Sequence, residues 1–372
     1  MTSDADSFMA QALALAEQAR PICPPNPAVG CVLVSASGQV IGTGHTQPTG
    51  QAHAEVMALR DAAARGHATA GATAYVTLEP CAHQGRTGPC ADALVRAGVA
   101  RVVAALQDPN PRVAGQGFAR LRAAGVDVQV GPGADASREL NLGFFSRMQR
   151  GRPWLRLKVA ASLDGRTALP NGASQWITSP AARADGHAWR ARAGAVLTGI
   201  GTVRADNPRL NVRGPGAARQ PLLVIADSRW RTPLDAALWA VPARPVLVVG
   251  AASDAAREAV LRARGADTVA LPGAEGQVDL AALLAELARR EVNELHVEAG
   301  AQLNAALWRA GLVDELLLYQ APRLLGEGAP LAALGPFSAL SQGPQLEYVS
   351  AERIGPDLRI RARVLGHTPI PS

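Results

Sequence analysis

Short apolar runs of strand type alternate with stretches of helical spacing along almost the whole chain. That rhythm constrains the fold more than any other feature. SFMAQALALAEQAR (7–20) has helical spacing, with Ser7 placed to cap it. AVGCVLV (28–34) and QVIGTGHT (39–46) read as strands, and HAEVMALRDAAARG (53–66) as a helix closed by Gly66. ATAYVTLEP (72–80) and RVVAALQDP (101–109) are further strands around a helix at CADALVRAG (90–98). A short helix at GFARLRAAG, a strand at VDVQVG (126–131) and a closing helix at RELNLGFFSRMQ (138–149) follow. Strands interleaved with helices in this way point to an α/β layer domain.

RGRP (150–153) interrupts the pattern with Gly and Pro and reads as a linker between domains 1–149 and 154–367, with 368–372 as a tail. The second half repeats the alternation in WLRLKVAASLDG, AGAVLTGIGTV, PLLVIADS, RPVLVVG, DTVALPG, ELHVEAG and ELLLYQAP, so it too is read as α/β. A length of 372 residues and an apolar content of 48% are ample for two cores. There is no apolar run of 18 residues and no basic-then-apolar start, which argues against a membrane span or a signal peptide.

The net charge of +6 does not imply a polyanion partner. Up to Arg150 there are 12 Arg against 11 acids, and no dense basic run occurs anywhere. Only Phe8, Tyr75, Phe118, Phe144 and Phe145 are available before residue 150 as stacking platforms, a poor supply for binding single strands. Four cysteines in a chain this long do not make a disulfide framework. A reducing, cytoplasmic compartment is the simpler reading, and clustered cysteines then suggest metal binding or catalysis.

Cys81 and Cys90 stand nine positions apart, each directly after a proline, and His53-Ala54-Glu55 lies upstream. Zinc takes His nitrogen and Cys thiolate, and a catalytic site keeps one position open for water. His53, Cys81 and Cys90 supply three ligands, and Glu55 follows closely enough to shuttle protons without ligating. Pro89 suits the first turn of a helix, which places Cys90 at a helix N-terminus, where a thiolate is favoured. The order matches the H-x-E…P-C-x-x-C signature of zinc deaminases, with eight residues between the cysteines instead of two. A structural zinc site with His83 as fourth ligand is the alternative. Cys31 in its apolar strand reads as core, and Cys23 has no ligand role.

PPNPAVG (24–30), GHTQPTGQAHAE (44–55), EPCAHQGRTGPC (79–90) and DPNPRVAGQG (108–117) together resemble the bifunctional deaminase/reductase of riboflavin biosynthesis. The resemblance implies a cytidine-deaminase-like first domain with zinc on His53, Cys81 and Cys90 and Glu55 as catalytic residue. It implies that Asn26, His45 and His83 hold the pyrimidine and that Arg86 lies near the substrate phosphate. Each of these four has a plainer reading as a turn, strand-end or solvated loop residue.

The second half lacks a G-x-G-x-x-G after its first strand, so it is not the common dinucleotide-binding fold. LKVAASLDGRTALPNGASQWITSP (157–180), LTGIGTVRADNPRLNVR (197–213), DSRWRTP (227–233) and VEAGAQLN (297–304) resemble the reductase domain of the same family, which is similar in fold to dihydrofolate reductase. The last motif reads VEAG where a common family form is VEGG. The resemblance implies NADPH contacts at Ala160, Thr167, Ala168, Leu169, Pro170, Trp176, Thr202, Asp206 and Ser228, and along Gly300, Ala301, Gln302, Leu303, Asn304, Ala305 and Ala306. It implies that Ser174, Arg190, Leu210, Arg213 and Glu298 hold the ribose phosphate. Of 37 basic residues, Lys158 alone is not Arg, and its place at the head of the first motif marks it as a site residue that needs an ammonium group.

The expected protein is thus a cytoplasmic, two-site enzyme acting on a small pyrimidine ribose phosphate. It carries one Zn2+ and uses NADPH, has neither nucleic acid nor membrane as partner, and forms a homodimer or larger homo-oligomer. A nucleoside or nucleic-acid deaminase with an inactive second domain, or a zinc-stapled binding module, are the alternatives.

Overall fold

The computed structural model describes residues 4–82, 88–111, 113–213 and 219–365. The chain divides into two compact units, Met1–Gly151 and Arg152–Ser372. Both are α/β, as the alternation implies.

In the first unit the order is α1 (Asp4–Ala19), β1 (Gly30–Val34), β2 (Val40–His45), α2 (Ala54–Ala64), β3 (Thr73–Val76), α3 (Cys90–Arg96), β4 (Arg101–Ala104), α4 (Gln116–Ala123), β5 (Asp127–Val130), α5 (Ala134–Leu140) and α6 (Leu142–Arg150). The sheet order is β2-β1-β3-β4-β5. β1 runs antiparallel to both β2 and β3, whereas β3, β4 and β5 are parallel. β1 is buried throughout, Cys31 included. Met9, Ala12, Val32, Val34, Val103 and Ala105 form the core between α1 and the sheet.

The glycines of β2 set the position of α2. A Cβ on Gly44 would come within 2.4 Å of the Ala54 carbonyl, and one on Gly42 within 2.3 Å of the Ala58 carbonyl. The helix backbone therefore rests directly on the strand, a close approach that only glycine permits. This fixes the start of α2, with His53 just before it and Glu55 in its first turn.

The segment expected to form a single closing helix forms two. Asn141 leaves helical geometry (φ −118°, ψ 20°) and its amide is drawn into the unit. Its Oδ1 accepts from the Ala28 N–H (2.8 Å), and its Nδ2 donates to the carbonyls of Ala28 (3.0 Å) and Ser137 (3.2 Å). Satisfying a strand-edge backbone with a side-chain amide outweighs continuing the helix, a competition that Asn enters readily.

The second unit contains β6 (Trp154–Ser162), β7 (Arg166–Ala168), α7 (Pro180–Arg192), β8 (Ala195–Gly199), α8 (Ile200–Asp206), β9 (Leu222–Ala226), β10 (Val246–Gly250), α9 (Ala255–Ala263), β11 (Ala266–Ala270), α10 (Leu280–Arg289), β12 (Glu294–Val297), α11 (Ala301–Arg309), β13 (Glu315–Ala321), β14 (Ala329–Pro330), β15 (Leu346–Ile354) and β16 (Asp357–Val364). Nine strands form one sheet, in the order β11-β10-β9-β8-β12-β6-β13-β16-β15. The first seven in that order are parallel, and the β15–β16 hairpin is antiparallel.

Alternate residues feed two cores. Leu197, Val224, Leu247, Leu295 and Val297 face one side with Leu283, Leu287 and Leu307, whereas Val196, Leu223, Ile225 and Val248 face the other with Leu238 and Leu261. Burial on both faces is what a parallel sheet requires, and it explains the unbroken apolar runs in these strands.

A buried ionic cluster joins the β6 side of this sheet to its hairpin. Arg156 bonds Glu315 (3.0 Å) and Glu294 (2.6 Å), and Arg361 bonds Glu315 (2.9 Å). The Trp189 ring lies 4.6 Å from the Arg156 guanidinium carbon. Burial alone would raise the Glu315 carboxyl, but the charges of Arg156 and Arg361 outweigh it and bring it down to about 2.

Candidate active sites

His53 ends the loop before α2 with extended backbone (φ −77°, ψ 169°), and its side chain makes no capping bond. The imidazole instead turns to the cysteines, with Nδ1 3.3 Å from Cys90 Sγ and 3.6 Å from Cys81 Sγ. Cys81 lies past the end of β3 and is tied to α3, because the Ala91 N–H donates to its carbonyl (3.1 Å) and the Cys90 N–H to its sulfur (3.4 Å). Pro89 precedes α3, and Cys90 is its first residue. The three ligand atoms lie within 4.8 Å of one another.

This set fits zinc. Ligands at roughly 2.05 and 2.3 Å in a tetrahedron place N and S about 3.6 Å apart, close to the spacing seen. The two thiols share one proton, so that Cys81 is the thiolate and Cys90 keeps its hydrogen, against the expectation that its place at the start of α3 would favour a thiolate. Cys81 is held well below its ordinary value, chiefly by the hydrogen bond from Cys90, and Cys90 is pushed up in return. His53 is raised by its bond to Cys81, against the effect of burial. Among the described residues, this is the one group of three such donors close enough to hold an ion.

Glu55 stands in the first turn of α2 and is only 3% exposed. Burial, with a contribution from the Cys81 charge, pushes its carboxyl up to about 7. A carboxyl poised there both takes and returns protons near neutrality. Asn26 closes a turn, its N–H donating to the Cys23 carbonyl (2.9 Å), and its side chain is half-buried. His45 ends β2 and is lowered by burial. His83 and Arg86 lie outside the described residues.

Two functional features escaped the reading of the sequence. Glu79, two residues before Cys81, is buried and collects four backbone N–H groups. They come from Asp108 (3.1 Å) and Gly115 (2.9 Å) on Oε2, and from Gly117 (2.8 Å) and Phe118 (3.3 Å) on Oε1. It clamps the 108–118 segment to the loop that bears Cys81. The second is Asp108, buried in that segment, where burial first, then the charges of Glu79 and Cys81, push it up to about 7. The signal for both was the pair of motifs EPC and DPNPRVAGQG, which the Asp108 N–H to Glu79 bond joins.

In the second unit the site gathers where parallel strands end. Glu298 follows β12 and accepts from Arg190 Nε of α7 (2.7 Å), with Lys158 Nζ of β6 at 3.6 Å. Despite burial, these cations hold the Glu298 carboxyl well below the usual carboxylate range. Gly186 faces Lys158, where an added Cβ would come to 3.9 Å from Cε. His296, fully buried, has Nε2 3.5 Å from Glu298.

β8 and β12 are adjacent and parallel, so the GIGTV and EAGAQLN turns lie side by side. A Cβ on Gly300 would come to 3.8 Å from Thr202 Oγ1, and one on Gly199 to 3.4 Å from Leu303. This cradle of small residues, with the first amides of α11, suits a dinucleotide phosphate. Asn304 donates to the Leu331 carbonyl (2.7 Å) and Ala305 is buried, so the segment offers a cofactor its backbone more than its side chains. Ser228 Oγ donates to Gln277 (3.1 Å), and burial raises Asp206. Trp176 is 59% exposed, and the Arg183 guanidinium carbon lies over its ring at 4.3 Å.

Ala160 is half-buried on β6. Thr167 and Ala168 lie on β7, with Leu169 and Pro170 in the turn after it, and Ser174 is half-exposed a little further on. The Leu210 side chain belongs to the core around Trp230, which leaves its backbone, in left-handed conformation (φ 49°), for any ligand contact. Arg213 is exposed.

Together the two units define a zinc-binding deaminase joined to a reductase. Residues 2–106 match the family model for the cytidine and deoxycytidylate deaminase zinc-binding region, and 153–360 match the RibD C-terminal domain. The riboflavin biosynthesis protein RibD of Escherichia coli strain K12 is 45% identical over 367 residues, covering 94% of this chain and 97% of that protein. Among solved structures, Acinetobacter baumannii RibD (form 1) has a TM-score of 0.88 at 42% identity, with 97% of this chain and 99% of that one covered. A Thermotoga maritima diaminohydroxyphosphoribosylaminopyrimidine deaminase/5-amino-6-(5-phosphoribosylamino)uracil reductase has a TM-score of 0.86 at 30% identity, with 97% of this chain and 99% of that one covered. The chain belongs to the RibD family of riboflavin biosynthesis proteins.

Proposed function

We propose that the chain catalyses two successive steps of riboflavin biosynthesis. The first is hydrolytic deamination of a diamino-pyrimidinone ribosylamine phosphate. The second is NADPH-dependent reduction of its ribosyl group to give a ribitylamino uracil phosphate. The observation that carries this reading is the convergence of His53, Cys81 and Cys90 beside a buried Glu55, in a chain that also bears the Lys158–Glu298–Arg190 cluster.

His53, Cys81 and Cys90 hold zinc, which supplies a Lewis acid for activating water at the amino-bearing carbon. Glu55 takes a proton from the attacking water and passes it to the leaving amine, which departs as ammonia, while the water's second proton goes to the adjacent ring nitrogen as the carbonyl forms. Its burial excludes solvent that would compete for those protons. Asn26 and His45, with His83 and Arg86, position the ring and the phosphate.

Residues of the β8, β9 and β12 ends hold NADPH, which supplies the hydride to C1 of the ribose. Arg190 and Arg213 take the substrate phosphate by charge-assisted bonds. Lys158 presents an ammonium group to the reacting end, and Glu298 keeps that ammonium and the Arg190 guanidinium in place. The substrate is a small molecule, and the same reading places the enzyme in the cytoplasm as a homodimer or larger assembly.

The test is one time course on zinc-quantified protein given the diamino substrate and NADPH, with ammonia and NADPH followed together. Ammonia first and an equal loss of NADPH after it are expected. Ammonia with no NADPH loss would refute the second activity, and no ammonia would refute the first.

A further inference from the structure

His187 lies one helical turn before Arg190 on α7, and its Nδ1 is 3.3 Å from Arg190 Nη1. A guanidinium only donates, so in this contact Nδ1 accepts and cannot carry the proton. The neutral ring must then be the Nε2–H tautomer. Arg190 is thereby fixed by three acceptors: the Glu298 carboxylate on Nε, and the Asn211 carbonyl and His187 on Nη1. Nη2 takes part in none of these bonds.

Four charged groups act on the His187 ring. They are Arg190 on its own helix, Arg213 after α8, Lys158 on β6 and Glu298 after β12. Three cations against one carboxylate leave two positive charges, the complement of a phosphate monoester dianion. Burial first, then Arg190 and Arg213, push His187 down to about 4, so near neutral pH the ring adds a donor and no further charge.

Resting on the reductase reading above, we propose that His187 is a further substrate-binding residue, whose Nε2–H donates to the phosphate of the ribose phosphate substrate while Nδ1 locks Arg190 in place. A neutral donor beside two arginines adds direction to what would otherwise be attraction between charges alone.

Two measurements test this. In 15N spectra of histidine-labelled protein at neutral pH, His187, identified by its loss in His187→Gln, should show the Nε2–H pattern, and its Nε2 signal should shift on addition of inorganic phosphate. In steady-state kinetics with the deaminated intermediate, His187→Leu should raise KM by about ten- to a hundred-fold, the span of one hydrogen bond to a charged group, with kcat little changed. The dephosphorylated intermediate should show no such rise, and His187→Gln, which can both accept and donate, should recover most of the loss. An Nδ1–H tautomer, no response to phosphate, or an equal loss with both substrates would overturn the proposal. If wild-type protein oxidised no NADPH, the reductase reading would fall, while the tautomer and the phosphate response would still decide the role of His187.

Discussion

Replacing Glu79 by Gln changes one atom in a buried clamp. Each carboxylate oxygen of Glu79 accepts two backbone N–H groups, from Asp108 and Gly115 on one side and from Gly117 and Phe118 on the other. Whichever way the amide settles, two N–H donors face an NH2 group in place of an acceptor. A buried donor left unsatisfied costs about 1–3 kcal/mol, so the loss is roughly 2–6 kcal/mol. The segment has little room to relax, because a Cβ on Gly117 would already lie 1.9 Å from the Pro80 carbonyl. Urea unfolding followed in the first unit should show the loss as a lower midpoint, and ammonia release should fall as Asp108 and the Cys81 loop shift. A change below about 1 kcal/mol with full deamination would refute the clamp.

Glu55→Gln should keep one zinc per chain by elemental analysis and lose ammonia release by about 10²–10⁴-fold, the usual range for a general acid–base residue. Removing zinc with a chelator should abolish ammonia release and leave NADPH oxidation with the deaminated intermediate intact. Arg156→Met takes the shared cation from the buried Glu294 and Glu315 carboxylates, leaving Arg192 3.8 Å from Glu294 and Arg361 2.9 Å from Glu315. With these partners kept, a loss of about 3 kcal/mol, the low end for a broken buried pair, is expected on chemical denaturation. The Glu315 carboxyl falls from an ordinary 4.5 to about 2, so its stabilisation is complete above pH 4.5. It should be lost as pH drops towards 2, which thermal melts across that window will show.

The sequence made the two α/β units and the His53–Cys81–Cys90 cluster legible because both depend on local pattern. Unbroken apolar runs marked the buried strands, and prolines before Cys81 and Cys90 marked a strand exit and a helix start. The β15–β16 hairpin was not legible. Its strands carry Arg and Glu among the apolar residues, β15 largely exposed and β16 mostly half-buried, so they lack the run that betrays a strand. β16 gains its place through pairing with β13, whose partners run from Gln320–Leu358 to Glu315–Arg363, and through the Arg361–Glu315 bridge between residues 46 apart in sequence. Glu79 and His187 were hidden for a related reason. Each acts through backbone or side-chain partners that the fold brings to it, and a carboxylate before Pro-Cys or a histidine within a helix has no spacing rule of its own.

Lys158 is the sole lysine of the chain, and it sits only 23% exposed beside Glu298. Apart from the amino terminus, the protein therefore carries one primary amine, and that amine lies in the candidate reductase site. An amine-selective reagent becomes an occupancy probe with no engineering. Its uptake at position 158 should fall as the deaminated intermediate fills the pocket. A peptidase specific for lysine would cut the unfolded chain once where Lys158 is free and leave it whole where Lys158 is acylated, so the uncut fraction separates label at Lys158 from label at the amino terminus.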